Sequence, residues 1–345
     1  MSILALLAVF LTSSIPADSP GSGWTATFSI AARDTLNGEL GIAVASCVPF
    51  VGYSVPWVEA GVGAVATQAF VNHAFGPDGL ALLASGMLAP EVLDSLIAGD
   101  PDHEQRQVGI VDTHGNSVSF TGAQTMDWAG GVTGSGYAIQ GNILTDSGVV
   151  LAMEQAYLAA GGPLADRLLL ALQAGEDAGG DSRGKQSASI LVVREGAGHQ
   201  GASDILLDLC VSDNPEPVTE LRRLYAIWAE YNLFPVYMDA GTDLEEGWAL
   251  QIMERSLAAE DPDPQMLNYY AWTLAERDLQ LPRAEEMARQ ALDLAPDDPN
   301  IMDTLAEVLF RLGNPAEAIE WERKALELDP ENAYYLEQIA RFEGE

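Results

Sequence analysis

Short apolar stretches separated by Gly-rich turns fill the first two thirds of the chain, and unbroken helical periodicity fills the last third. From about Thr25 to Val211, two-residue alternation and short apolar runs predict strands at 25–33, 39–46, 62–68, 106–112, 117–122, 136–141, 187–194 and 204–211. Two helical pairs interrupt them, 77–86 with 89–98 and 145–160 with 163–175, with Pro90 and Pro163 suited to a first helical turn. Strands, helix pair, strands, helix pair and strands again predict two sheets packed face to face with helices outside. Between the first two strands, Asp34-Thr35-Leu36-Asn37-Gly38 reads as a hairpin turn in which Asn37-Gly38 take positive φ.

Alternation in the first strand places Thr27, Ser29 and Ala31 on one face and Phe28, Ile30 and Ala32 on the other. A small polar face opposite an apolar one fits a strand lining a cleft between two sheets. After Asn214-Pro215-Glu216-Pro217 the texture turns helical and a repeat emerges. Pro262, Pro296 and Pro330 recur every 34 residues, and Ala284 matches Ala318, Ala291 matches Ala325, Leu292 matches Leu326 and Leu294 matches Leu328. Small residues at helix crossings and a Pro closing the second helix are the tetratricopeptide signature. The stretch 218–240, with its aromatic stripe, reads as a joining helix with an interdomain core. The expected layout is a leader over 1–26, a mixed domain over 27–213, a helical linker over 214–246 and repeats over 247–345.

Charge narrows the partners. The chain carries 51 acidic and 16 basic residues, a net charge of −35, and its only lysines are Lys185 and Lys324. Such a surface repels phosphate backbones and anionic lipid, so nucleic acid and membrane surfaces are disfavoured. Ile3 to Leu11 has the length of a signal-peptide core and is too short to cross a bilayer, which takes about 20 residues. Export, secreted or periplasmic, is therefore expected, with no membrane insertion after processing and a cytoplasmic location if the leader stays. Cys47 and Cys210 read as small buried residues rather than a disulfide, and the four histidines show no paired spacing, so no metal and no cofactor is expected.

The position of Thr27 after a leader matters chemically. If the preceding residues are removed, its hydroxyl is the nucleophile and its free α-amine, with an ordinary pKa of about 8, is the base. Gln140-Gly141-Asn142 ends a strand with two amides that can hold an oxyanion, which makes Thr27, Gln140 and Asn142 the candidate catalytic residues. Gln68 and Asn72 are weaker versions of the same idea. Arg183 and Lys185, within Asp181-Ser182-Arg183-Gly184-Lys185-Gln186-Ser187, can clamp a substrate carboxylate. Ser29, Arg33, Asp34, Gln68, Asn72, Asp181, Arg183, Lys185, Gln186 and Ser187 are thus the candidate substrate-binding residues. Asp34 also suits capping of its own turn.

Four ordered runs carry a family resemblance. They are Thr27–Asp34 leading to Gly38–Ser46, Pro56–Gln68, Gly136–Asn142 and Gly179–Ala188. Together they resemble the domain-of-unknown-function family 1028, which belongs with the N-terminal-nucleophile (Ntn) hydrolases. The resemblance covers about residues 27–225. It implies an α+β fold, an αββα four-layer sandwich, here followed by an all-α tetratricopeptide solenoid, and hydrolysis of an amide. In the wider Ntn class a lysine on the second strand often attends a threonine nucleophile; Cys47 stands there in this chain, which leaves Lys185, Arg33 or Arg183 to supply the positive field. Ntn domains commonly assemble through their outer helices, so a homo-oligomer is implied by analogy. The two expected functions are an amidohydrolase for a small amide or peptide-like substrate with a protein-binding repeat tail, and a non-catalytic ligand-binding scaffold.

Overall fold

The computed structural model describes residues 24–25, 27–198, 201–258 and 262–344, so the expected leader and His199 lie outside the described residues apart from a two-residue strand at 24–25. The chain divides into two compact units, at Trp228/Ala229.

The first unit holds strands β1 (Trp24–Thr25), β2 (Thr27–Arg33), β3 (Leu40–Ser46), β4 (Pro56–Glu59), β5 (Gly63–Phe70), β6 (Arg106–Asp112), β7 (Ser117–Thr121), β8 (Gly130–Gly134), β9 (Tyr137–Asn142), β10 (Ser187–Val193) and β11 (Ile205–Val211). Its helices are α1 (Phe75–Ala84), α2 (Ala89–Gly99), α3 (Gly148–Ala159), α4 (Leu164–Asp177) and α5 (Pro217–Trp228). One sheet runs β1-β5-β6-β7, with β4 also paired to β5; the other runs β11-β10-β3-β2-β9-β8. Helices α1 and α2 cover the first sheet and α3, α4 and α5 the second, which is the expected αββα order.

Residue size explains how the layers stack. Between the sheets sit small side chains, Ala31, Ala64, Ala66 and Ala138, among Ile42, Val44 and Val111, which lets the sheets approach closely. Larger residues, Phe75, Leu80, Leu83, Leu93 and Leu96, fill the layer between the first sheet and its helices. The eight expected strands form. Two more, β4 and β8, are half exposed and begin with Pro56 or carry glycines at 130, 131 and 134, so neither shows a strand pattern of its own. The hairpin turn after β2 uses positive φ only at Gly38, at 79°. Cys47 and Cys210 are free thiols and half-buried, not core residues as expected.

In the second unit a π-helical turn (Ala229–Leu233) and α6 (Phe234–Asp239) precede α7 (Asp243–Leu257), α8 (Pro264–Glu276), α9 (Leu281–Leu294), α10 (Pro299–Arg311), α11 (Pro315–Leu328) and α12 (Ala333–Glu343). Asp263, Asp298 and Asn332 accept a backbone N–H two residues on and so cap α8, α10 and α12 at repeat spacing. Ala284, Ala291, Ala318 and Ala325 are fully buried where helices meet. The matched pair Leu294 and Leu328 is half exposed at helix ends, so that match reflects the repeat without reflecting a core. The expected joining helix over 218–240 forms as one continuous helical run, α5, the π-helical turn and α6, that passes through the division between the units; Leu221 and Tyr225 are buried in its first part, and Leu233 and Tyr237 in its second.

Candidate functional site

Thr27 opens β2 on the face that looks toward the first sheet. Register places it opposite Ser46 of β3 and Asn142 of β9, and its hydroxyl donates to Ser46 Oγ at 3.3 Å. Beside it a polar layer, buried except at its Thr121 end, spans the two sheets. Ser29 Oγ donates to Gln68 Oε1 at 2.6 Å; Gln68 Nε2 donates to Gln107 Oε1 at 2.8 Å and to the Thr27 carbonyl at 3.3 Å. Gln107 Nε2 donates to Thr121 Oγ1 at 2.9 Å and to the Gly141 carbonyl at 2.8 Å. Gln140 Nε2 donates to Ser29 Oγ at 2.7 Å and Asn142 Nδ2 to Gln107 Oε1 at 3.0 Å. A Cβ at Gly109 would collide with the Gln140 carboxamide, so glycine there makes the room this side chain occupies.

The network fixes the polarity of each amide. Gln107 donates to backbone carbonyls, which accept only, so its nitrogen lies on that side and its oxygen faces Gln68 and Asn142. Ser29 gives its proton to Gln68 and must accept from the Gln140 nitrogen. Gln140 and Asn142 thus each use one of two amide protons, and each keeps an unpartnered buried oxygen, Oε1 and Oδ1. Each amide therefore retains one N–H and one oxygen that the layer does not use.

The Asp181–Ser187 cluster is arranged otherwise than expected. Asp181 accepts the Cys47 N–H at 3.0 Å and pairs with Arg183 at 3.0 Å. Lys185 reaches Glu216 at 2.6 Å and Glu176 at 3.1 Å, and those contacts raise its pKa, the Glu216 hydrogen bond foremost. Gln186 donates to Asp213, and Ser187 donates to the Val48 carbonyl while accepting from the Val51 N–H. Both cations therefore arrive neutralised, and a carboxylate clamp would first have to break these pairs. A cavity of about 120 Å³ opens here, walled by Phe28, Ser46, Glu176, Gly180, Asp181 and Lys185. Burial pushes the Glu176 carboxyl up despite Lys185. Ser46 thus touches both the Thr27 hydroxyl and this cavity. Burial, then the Asp181 charge, raises the Cys47 thiol, with Arg183 opposing the rise.

Three expected site residues lie apart from the polar layer or bond elsewhere. Asp34 caps its turn through Leu36 N–H at 2.7 Å and pairs with Arg167 of α4. Arg33 ends β2 half-buried, with its backbone N–H on the Gly136 carbonyl at 2.9 Å. Asn72 donates to Asp100 at 2.9 Å, in a strut with Arg106. Gln107, Thr121 and Ser46 were missed; a glutamine inside the apolar run 106–112, on the same face as Gly109 and Val111, was the available signal. Among the described residues, no group of three or more His, Cys, Asp or Glu is arranged to hold a metal ion, and no helix is long and apolar enough to cross a membrane.

Comparison with known proteins agrees with this architecture. The Family of unknown function (DUF1028) matches residues 27–221, and a tetratricopeptide repeat family matches residues 280–341. The crystal structure of protein SPO2555 from Silicibacter pomeroyi, of the DUF1028 family, is similar with a TM-score of 0.54 and 30% identity, over 59% of this chain and 89% of that one. The TPR repeat-containing protein PA4667 of Pseudomonas aeruginosa is 37% identical over 79 residues, 23% of this chain and 13% of that protein's length.

Proposed function

Because the chain belongs to the DUF1028 family of unknown function, we propose for it an N-terminal-nucleophile amide hydrolysis centred on Thr27, joined to a repeat unit that binds a protein partner. One observation carries the reading. Thr27 starts an inner strand with its hydroxyl on Ser46, at the edge of a buried layer of four carboxamides that includes Gln140 and Asn142. Once the residues before it are removed, in an exported protein, the hydroxyl oxygen attacks the substrate carbonyl. The α-amine takes the hydroxyl proton through a water and returns it to the leaving nitrogen. The remaining amide protons of Gln140 and Asn142 meet the oxyanion, and their free oxygens accept the substrate N–H. Water then releases the acyl group from Thr27.

Mass measurement of the natively produced protein tests the premise: a chain that starts at Thr27 is expected, and one that retains the preceding residues removes the base. On a panel of small amides, Thr27→Ala should abolish turnover while leaving the fold intact.

A non-catalytic reading is favoured by the state of the cations. Lys185 and Arg183 are bound to carboxylates rather than turned to Thr27, and Cys47 stands where a lysine would help. Turnover unchanged by Thr27→Ala, or absent in a chain that starts at Thr27, would favour this scaffold role.

A further inference from the structure

The repeat unit contains a carboxylate cluster with too few donors. Asp303 and Glu307 lie one turn apart on α10, and Glu322 lies on α11. Tyr334, Gln338 and Arg341 fall on one side of α12 by their spacing. Glu307 takes both nearby guanidiniums, Arg311 at 2.6 Å and Arg341. Asp303 and Glu322 receive neither as an ion pair. Glu322 is wholly buried, and its two oxygens, Asp303 Oδ1 and Gln338 Oε1 all lack a hydrogen-bond donor. Arg277, Arg283, Arg289 and Arg323 bond to carboxylates elsewhere, and Lys324 lies over the Trp321 ring at 3.6 Å.

Two touching carboxyls that only accept cannot both stay ionised out of water, so Asp303 and Glu322 share a proton. Burial pushes both up, Glu322 further through the charges of Asp303 and Glu307, while Arg341 opposes the rise in each. Tyr334 feels the same field: burial and then these three carboxylates push its hydroxyl up to about 12. Asp303 is half-buried and Tyr334 is 39% exposed, so the cluster borders the surface on that side, with its unpartnered oxygens just beneath it.

A counter-ion that suits these unpartnered acceptors brings hydrogen-bond donors of its own. A primary ammonium offers three, on a stem slender enough to pass an aromatic ring. We propose that the notch of Asp303, Glu322 and Tyr334, between α10, α11 and α12, receives a lysine side chain of a partner polypeptide. The ammonium enters and the shared proton leaves to solvent, so the charge within the notch is conserved. The Tyr334 ring flanks the stem and adds cation–π attraction. The inference rests on the protein-binding reading of the repeats and is independent of chemistry at Thr27.

Calorimetric titration of the full chain with pentalysine, in two buffers of different ionisation enthalpy, tests it. One-to-one binding with proton release, tightening as pH rises, is expected; penta-acetyl-lysine should not bind. Asp303→Asn should weaken binding at least about tenfold, whereas Glu320→Gln, an exposed carboxylate on α11, should change it less than about twofold. Glu322→Gln, which replaces the shared proton by a fixed amide, should abolish the proton release, with circular dichroism reporting that each variant is folded. Thr27→Ala should bind as the parent does. Absence of binding, equal weakening by Asp303→Asn and Glu320→Gln, or binding without proton release overturns the proposal.

Discussion

Gln107 is the residue on which the inter-sheet layer turns. Its carboxamide bonds to Gln68, Asn142, Thr121 and the Gly141 carbonyl without reaching solvent. Gln107→Ala would strand several buried polar groups at once, and a loss of about 3 kcal/mol is expected from the urea midpoint. Thr27→Ala removes a 3.3 Å hydrogen bond to Ser46 and one buried methyl group and should cost about 1–2 kcal/mol. The contrast matters for the catalytic test, because a stable Thr27→Ala protein that loses turnover has lost a chemical group rather than its fold. The face on which Thr27 and Ser29 lie was readable from alternation alone. Which amide each would meet was not, since Gln68, Gln107 and Gln140 stand on three different strands.

At the scale of elements, Arg106 ties β6 to the end of α2 through a buried ion pair and to β5 through a backbone carbonyl. Arg106 of β6 bonds Asp100 at 2.8 Å and the Phe70 carbonyl at 2.8 Å, and this arginine foremost holds the Asp100 carboxyl at about 2. A carboxyl depressed on folding adds stability above its unfolded pKa and gives it up as pH falls through the folded one. The first unit should therefore lose up to about 2 kcal/mol between about pH 4 and pH 2 from this group, and Asp100→Asn should flatten that part of the stability curve. The α10–α11 pair carries the opposite sign. Asp303 and Glu322 hold a proton when folded that the unfolded chain releases in the ordinary carboxylate range. Stability of the repeat unit should thus fall as pH rises above that range, and Glu322→Gln should remove the slope, as read by unfolding midpoints between about pH 4 and pH 8.

The whole molecule carries a net charge of −35, and many of its few cations are already paired with carboxylates. Self-repulsion of that size opposes compaction and is screened over about 10 Å at 0.1 M salt. Raising sodium chloride from about 0.05 to 0.5 M should therefore raise the thermal midpoint. A falling midpoint would mean that the paired arginines contribute more than the uncompensated carboxylates cost.

All the elements but edge strands such as β4 and β8, and their classes, were determined by the sequence alone, because alternation, helical period and Gly or Pro punctuation are local signals. Strands at 27–33 and 106–112, the helix pairs, and the 34-residue repeat needed no knowledge of neighbours. Strands β4 and β8 needed it, since edge segments rich in Gly or Pro form a ladder only when a partner strand is already in place. The site divides the same way. Thr27 and its face were legible, whereas tertiary structure decided that Lys185 and Arg183 spend their charge on Glu216, Glu176 and Asp181. Hydrogen-bond and ion-pair partners are chosen by distance in space, and a sequence orders its residues only along the chain.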